Sequence, residues 1–412
     1  MTTSNPRNVT GLRCVSCGKS CSLTDDVYVC PACGGNLQVE YDYDAIRRTW
    51  RREDLAKNAD YTIWRYGPLY PVSGRIDSPP IGWGPLFPAA RLAAKLGLKS
   101  LLVKDDGRNP SASFKDRATA IAMVRAREIG RDLVTGASTG NAGSSTAVLG
   151  AAMGIRTRIF IPKAAPKAKV AQLLAFGAEV LAVDGNYDAA FDLCLAATKK
   201  YDWYNRNTGF NPFTREGKKS VSFEICEQLG WKAPDLVVVP VGDGNIISGV
   251  WKGFEDLYRI GFIDRKPRLL AVQAEGSAAI VNALAGDGTI KAVSGDTVAD
   301  SISVSVPRDG VAAVKAVQAS GGFGITVSDD EILASIPEVA RGAGVFGEPA
   351  GVTSYAGLKK AAQQGKIEAA WTIVFLVTGN GLKDIASVMK VAGEPRPIAP
   401  DPAALSKAFP KG

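Results

Sequence analysis

Between Asn109 and Arg117 the chain reads NPSASFKDR, and the patterns on its two sides differ in period. Ahead of it, SLLVKDD (100–106) is a short continuous apolar run of the kind that forms a buried strand. Behind it, KDRATAIAMVRAREIG (115–130) has apolar residues at helical spacing and stops at a glycine. The stretch is therefore the turn of a strand-to-helix unit, with Lys115 at the start of the helix. Acids are commoner there, because the helix macrodipole favours negative charge at its N-terminus and a cation gains nothing. Lys115 is either incidental or placed for chemistry.

The same unit recurs along the chain. TRIFIPK (157–163), AEVLAVDG (178–185), DLVVVPVG (235–242), RLLAVQAEG (268–276) and WTIVFLVTGNG (371–381) read as further buried strands. KAKVAQLLAFG (167–177) and DDEILASIPEVARGAG (329–344) read as helices ending in glycine. Such alternation predicts an α/β fold with mostly parallel sheets, whose ligands sit at the carboxyl ends of the strands. There is no internal repeat, and GEPRPIAPDPAAL (393–405) reads as an extended Pro-rich end segment.

With 412 residues, 46% hydrophobic and 22% charged, the chain has enough core for two or three domains. No stretch approaches the roughly 20 apolar residues that span a bilayer, and MTTSNPRNVTG at the start lacks the apolar core of a signal peptide. A cytoplasmic protein with no membrane contact is expected. The net charge of +8 arises from 49 Lys and Arg scattered among 41 Asp and Glu, without a basic run, which argues against a nucleic-acid partner. Histidine is absent altogether. That excludes Ser-His-Asp and Cys-His catalysis and His-ligated zinc, and leaves lysine or a carboxylate to move protons.

Four of the seven cysteines lie in CVSCGKSCSLTDDVYVCPACGG, as Cys14-x2-Cys17 and, after twelve residues, Cys30-x2-Cys33. Two such knuckles suit a structural zinc ion held by four thiolates; a metal-free ribbon and disulfides are the competing readings. Cys21 is a spare thiol, and Cys194 and Cys226 fall in apolar helical patterns.

Three more turns join the one around Lys115. GASTGNAGSST (136–146) offers backbone donors at a helix start, suited to a carboxylate or phosphate, although a capped helix alone accounts for it. In PVGDGNIISG (240–249) a strand ends in Gly242-Asp243-Gly244-Asn245-Ile246 before a helix, a cradle for phosphate. It is neither a dinucleotide fingerprint, since Ile247 stands where glycine is needed, nor a P-loop. TGNGLKD (378–384) puts Thr378 at another strand end, either to hydrogen-bond a ring nitrogen or as part of a plain Asn-Gly turn.

The ordered set of cysteine ribbon, NPSASFKDR, STGN, NPFTREGKKSVSFEICEQLGW (211–231), VPVGDGNIISGVWKGF, VQAEG, FGEPAG and TGNGLKD runs nearly end to end. It resembles the fold type II pyridoxal phosphate enzymes, and within them is most similar to the threonine synthases. The resemblance implies a tryptophan synthase β-like α/β fold of two open, mostly parallel sheets flanked by helices, with a zinc-ribbon-like segment at residues 1–45. It implies a large cofactor-binding domain from 46–130 and 221–395, a smaller mobile domain from 131–220, a tail from 396–412, and a homodimer acting on a small amino acid. By the same resemblance Lys115 is the Schiff-base lysine, Asn141 bonds the cofactor's phenolic oxygen, and Gly242, Asp243, Gly244, Asn245 and Ile246 hold its phosphate. Thr378 partners the pyridine nitrogen, and Ser138 and Thr139 take the substrate's α-carboxylate. The chemistry agrees, since such a lysine needs its ordinary pKa of about 10.4 pulled down by desolvation or nearby cations, and once released it is the base that the missing histidine would have been.

Some positions depart from the synthase pattern. Thr214 stands where the synthases carry an arginine for the substrate phosphate, with Arg215 one place along; Arg215 is the expected cation, and Lys218, Lys219 and Arg308 are alternatives. Ala112 replaces a usual glycine, and GDGN and TVADSI (297–302) are similar to the dehydratases. The resemblance thus implies conversion of O-phosphohomoserine and water to threonine and phosphate, with β-elimination or β-replacement on a hydroxy or O-phospho amino acid as the alternative.

Overall fold

The computed structural model describes residues 8–23, 27–138, 140–165 and 167–409. Its strands are β1 (Val9–Cys14), β2 (Ser20–Cys21), β3 (Leu37–Tyr41), β4 (Leu86–Pro88), β5 (Ser100–Asp105), β6 (Leu133–Ala137) and β7 (Arg156–Pro162). They continue as β8 (Glu179–Val183), β9 (Tyr204–Asn205), β10 (Leu236–Pro240), β11 (Arg268–Ala274), β12 (Phe323–Val327) and β13 (Thr372–Val377). They form three sheets, ordered β2-β1-β3, β12-β11-β10-β13-β5-β4 and β8-β7-β6-β9. Pairing is antiparallel in the first and parallel in the other two, except that β4 runs against β5 at an edge.

The unbroken apolar runs LVVVP and TIVFLV became β10 and β13 because neighbours on both edges and helices on both faces bury every side, which removes the need for alternation. β8 departs from the expected buried strand. It lies at the edge of the smaller sheet, and its side chains are half-buried or exposed. The helix Lys115–Glu128 is buried from Asp116 through Ala126 and packs against the helices Phe213–Lys218 and Asn141–Met153. Helix Phe213–Lys218 approaches it backbone to backbone at Gly217, where a Cβ would come within 1.8 Å of the Arg117 carbonyl oxygen.

In the six-stranded sheet chain order and strand order part company. After β5 the chain leaves to build the smaller sheet, returns at β10, proceeds outward to β11 and β12, and comes back to insert β13 between β10 and β5. Outgoing turns therefore diverge above β5, β10 and β13, opening a crevice at their carboxyl ends. Among the described residues no helix is long and apolar enough to cross a membrane.

Candidate active site

Four turns line that crevice, each from the carboxyl end of a parallel strand: Lys115 after β5, Ser138 with Gly140 and Asn141 after β6, 206–208 after β9 and 242–246 after β10; the turn 378–380 after β13 packs against the first of them. Lys115 opens its helix immediately after Phe114, whose N–H donates to the Thr378 carbonyl at 2.9 Å. Ser113 also bridges to Gly379, and Lys383 Nζ donates to the Ser111 carbonyl at 2.9 Å, so the lysine turn and the Thr378 turn form one unit. Ala112 sits at φ 61°, the left-handed conformation that explains why glycine is usual there. Its N–H donates to the Asn109 carbonyl at 2.7 Å and its carbonyl accepts from Asn380 at 3.0 Å, bonds that hold the strained residue in place.

A cavity of about 480 Å³ opens in front of this unit, lined by Lys115, Ser138, Asn141, Arg206, Asp243 and Ser301 among others. Asn141 is the first residue of helix Asn141–Met153 and is buried. Its Nδ2 donates to Glu348 Oε1 at 2.6 Å and to Ser301 Oγ at 3.2 Å. Ser138 Oγ accepts from the Gly140 N–H at 3.2 Å. Thr139 lies outside the described residues. Thr378 is buried at the end of β13 and does not line the cavity.

The glycine turn leads into helix Asn245–Arg259, with Gly244 at φ 87°, a conformation that opens the backbone toward the helix head and that side chains resist. A small cavity of about 30 Å³ connects Gly242–Ile247 with Lys115 and Lys218. Lys218 is 0% exposed, and its Nζ donates to Asn245 Oδ1 at 2.7 Å. Among the described residues no carboxylate lies within ion-pair distance of it, an unusual state for a buried cation.

Arg215 is placed elsewhere. One residue of helix rotates a side chain by about 100°, so while Thr214 and Lys218, one turn apart, both face Asn245, Arg215 turns away. Its Nη2 donates to Asp309 Oδ1 at 2.5 Å and its Nε to Ser248 Oγ at 3.2 Å, beside a cleft next to the cysteine segment rather than the cavity of Lys115. Lys219 is buried between Glu216 and Asp256, each at 2.6 Å, in a separate ion cluster. Arg308 sits on the cavity rim, paired with Asp188 at 3.3 Å and stacked over Phe191.

Two features are not apparent from the sequence. Glu348, at the head of helix Pro349–Gln363, is the acid that orients Asn141; the FGEPAG motif is visible in the chain but offers no pairing. Arg206, in the unremarkable run YNRNTG, lines the cavity. The electrostatics of the three cations are mutually unfavourable. Burial lowers the Lys115 amine below its usual range, with Arg206 adding to the effect. Burial brings Arg206 down to about 10, and burial with Lys115 and Arg206 drives Lys218 well down. Desolvation conversely raises the carboxyls of Asp243 and Glu348.

The cysteine segment docks behind the glycine turn. Cys14, Cys17, Cys30 and Cys33 bring their sulfurs within 4.8 Å of one another, with 3.5 Å between Cys14 and Cys33 and 3.7 Å between Cys17 and Cys30. Asn36 Nδ2 donates to the carbonyls of Gly209 and Arg308 at 2.6 and 2.8 Å and to Asp309 Oδ1 at 2.9 Å. Asp309 in turn accepts from Asn245 Nδ2 at 2.8 Å and Ser248 Oγ at 2.6 Å.

Residues 78–379 match the family described as pyridoxal-phosphate dependent enzyme. The threonine synthase of Methanocaldococcus jannaschii is 38% identical over 394 residues, 94% of this chain and 96% of that one. That of Methanosarcina acetivorans is 38% identical over 387 residues, 93% and 95% of the two chains. The threonine synthase of Mycobacterium tuberculosis is 37% identical over 325 residues, 79% and 88%. Among solved structures, threonine deaminase isoform 2 of Solanum lycopersicum superposes with a TM-score of 0.63 at 24% identity, covering 76% of this chain and 88% of that chain. An L-serine ammonia-lyase of Rhizomucor miehei gives 0.64 at 19% identity, covering 75% and 97%. A lysine at the head of a buried helix, a glycine turn at another, and near full-length identity to named synthases agree: the chain belongs to the pyridoxal-phosphate-dependent enzymes and, within them, to the threonine synthases.

Proposed function

We propose that the protein converts O-phospho-L-homoserine and water to L-threonine and phosphate with pyridoxal phosphate as cofactor. The observation that carries the reading is Lys218, a fully buried cation with no carboxylate within ion-pair distance among the described residues, set against the glycine turn at a helix head. A cofactor phosphate seated there would neutralise it and accept from the free backbone donors of the turn, so the residues fit the group. When bound, the cofactor supplies an electron sink for carbanions next to the amino group.

The chain's own residues then divide the work. Lys115, its amine lowered by burial, would hold the cofactor at its aldehyde carbon and, as a free neutral amine, could take a proton from the substrate's α-carbon. Asn141, oriented by Glu348, would offer its amide to the cofactor's phenolic oxygen, the longer bond to Ser301 being the one it could give up. Gly242, Asp243, Gly244, Asn245 and Ile246, which line the small cavity, would hold the phosphate. Thr378, buried just past β13, is assigned to the pyridine nitrogen. Ser138, near the head of helix Asn141–Met153, is assigned to the substrate's α-carboxylate, and the same role is proposed for Thr139 from the sequence alone. The same reading takes residues 131–220 as the unit that closes over substrate, a homodimer as the assembly, and one zinc ion at the four cysteines. Tetrahedral zinc–sulfur bonds of about 2.3 Å put sulfurs about 3.8 Å apart, close to the spacings present.

The test is an assay of purified, cofactor-loaded protein with O-phosphohomoserine. Phosphate and threonine released in equal amounts support the proposal. Inertness toward O-phosphohomoserine, with deamination or substitution of serine, threonine or O-phosphoserine, would replace it with a β-elimination or β-replacement activity.

A further inference from the structure

O-Phosphohomoserine carries a phosphate as well as an α-carboxylate, and Arg215 is committed to Asp309 on the far side of its helix. Resting on the activity proposed above, we propose that Arg206 is the receptor for the substrate's phosphate.

Position comes first. Arg206 directly follows β9, and its N–H donates to the Thr135 carbonyl of β6 at 2.9 Å, so the end of the smaller sheet carries the side chain into the cavity of Lys115 and Asn141. Its Nη2 donates to Thr119 Oγ1 at 2.9 Å. Thr119 lies four residues after Lys115, on the same helix face, so the guanidinium is held one turn along from the lysine.

Its charge balance is the second observation. Arg206 is 2% exposed, its Nε has no hydrogen-bond partner, and among the described residues no carboxylate stands within ion-pair distance. The buried Arg65, Arg117 and Arg215 each have such a carboxylate, in Glu227, in Asp106 with Glu224, and in Asp309. Asp116 attracts it only from beyond ion-pair distance. A buried guanidinium without a direct ion pair is unfavourable unless a ligand completes it, and its planar fork matches a phosphate. Lys218 faces the glycine turn instead, and Arg308 is already paired and partly exposed. Two cations thus serve two phosphates, Lys218 the cofactor's and Arg206 the substrate's.

The experiment compares cofactor-loaded wild type with Arg206→Gln and Arg206→Lys. Steady-state kinetics with O-phosphohomoserine are combined with calorimetric titration of inorganic phosphate, the cofactor's own phosphate site being filled. Loss of a charge-assisted phosphate contact should raise KM and weaken inorganic phosphate by about 10- to 100-fold in Arg206→Gln, with partial recovery in Arg206→Lys. The visible absorbance of bound cofactor should not change, and the unliganded variant should melt no lower than wild type. KM and phosphate affinity within about twofold of wild type would overturn the assignment, because even the weak end of such contacts exceeds that. If wild type ignores O-phosphohomoserine, the activity proposed above fails, yet the phosphate titration still decides Arg206: binding lost in the variants supports it, and binding retained overturns it. Should Arg206→Gln not fold, the phosphate affinity of Arg206→Lys decides the matter in the same way, since lysine keeps the charge and loses the fork.

Discussion

Replacing Glu224 by glutamine should be among the most damaging isosteric changes in the molecule. Glu224 lies beneath the lysine helix with no exposure. It receives Arg117 Nη1 at 2.5 Å and Lys104 Nζ at 2.7 Å, together with the N–H groups of Trp83 and Gly84 at 2.8 and 3.1 Å. Arg117 retains Asp106 in the variant, whereas Lys104 is left with only neutral acceptors, the Gly84 carbonyl and Gln228 Oε1. Removing one member of a buried ion cluster costs about 3–5 kcal/mol, and here the new amide also turns a donor toward donors. Titration gives a second route to the magnitude. Burial pushes the Glu224 carboxyl up, but Arg117 and Lys104 overcome it and hold the group at about 2. Against an ordinary glutamate near 4.3 in the unfolded chain, that gap is worth about 3 kcal/mol. Because the folded value is depressed, this stability is fully present above the unfolded pKa and is lost as pH falls toward 2. Chemical denaturation of wild type and Glu224→Gln at a series of pH values reads both quantities. The variant should be less stable by about 3–5 kcal/mol near neutrality, with the difference shrinking as the medium is acidified. A neutral-pH difference under about 1 kcal/mol, or one that stays constant down to pH 2, would refute the argument.

Lys115→Ala should abolish turnover and the absorbance of covalently held cofactor, both read on the purified protein. Lys218→Met should weaken cofactor binding by about 10- to 100-fold, measured by titrating apoprotein, while the apoprotein melts no lower because a buried unpaired charge has gone. Ala112→Gly should raise the unfolding free energy by up to about 1 kcal/mol, relief of left-handed strain being partly offset by chain entropy. Elemental analysis should find one zinc per chain, and Cys30→Ser should lower the melting temperature without altering the cofactor spectrum.

Lys115 was legible because a cation at a helix start contradicts the local rule, and the glycine turn because Gly242 and Gly244 interrupt a strand-to-helix passage. Central strands were readable from unbroken apolar runs, while β4, β9 and β12 were too short or too mixed in character to stand out. What stayed hidden depends on distant partners. Nothing in NRN distinguishes Arg206 from a surface arginine until Thr119, 87 residues away, is placed against it. The same holds for Arg215: its neighbourhood in sequence suggested an anion site, and Asp309, 94 residues on, claims it instead. Helix phase supplied the rest, since only the observed start at Phe213 fixes which of residues 214–219 face the glycine turn.

The Asn36 amide, bonded to Arg308 and Asp309, joins positions 272 and 273 residues apart. During synthesis the cysteine segment leaves the ribosome long before its docking surface exists. At ordinary elongation rates of about 5–20 residues per second, it waits about 15 to 55 s. Throughout that interval the four thiols must be kept from oxidation and from one another by something other than the rest of the fold. Early metal capture would do this, turning the segment into a finished module before its partner surface is made. Availability of the ion during translation, rather than afterwards, would then set how much of the chain reaches the native state.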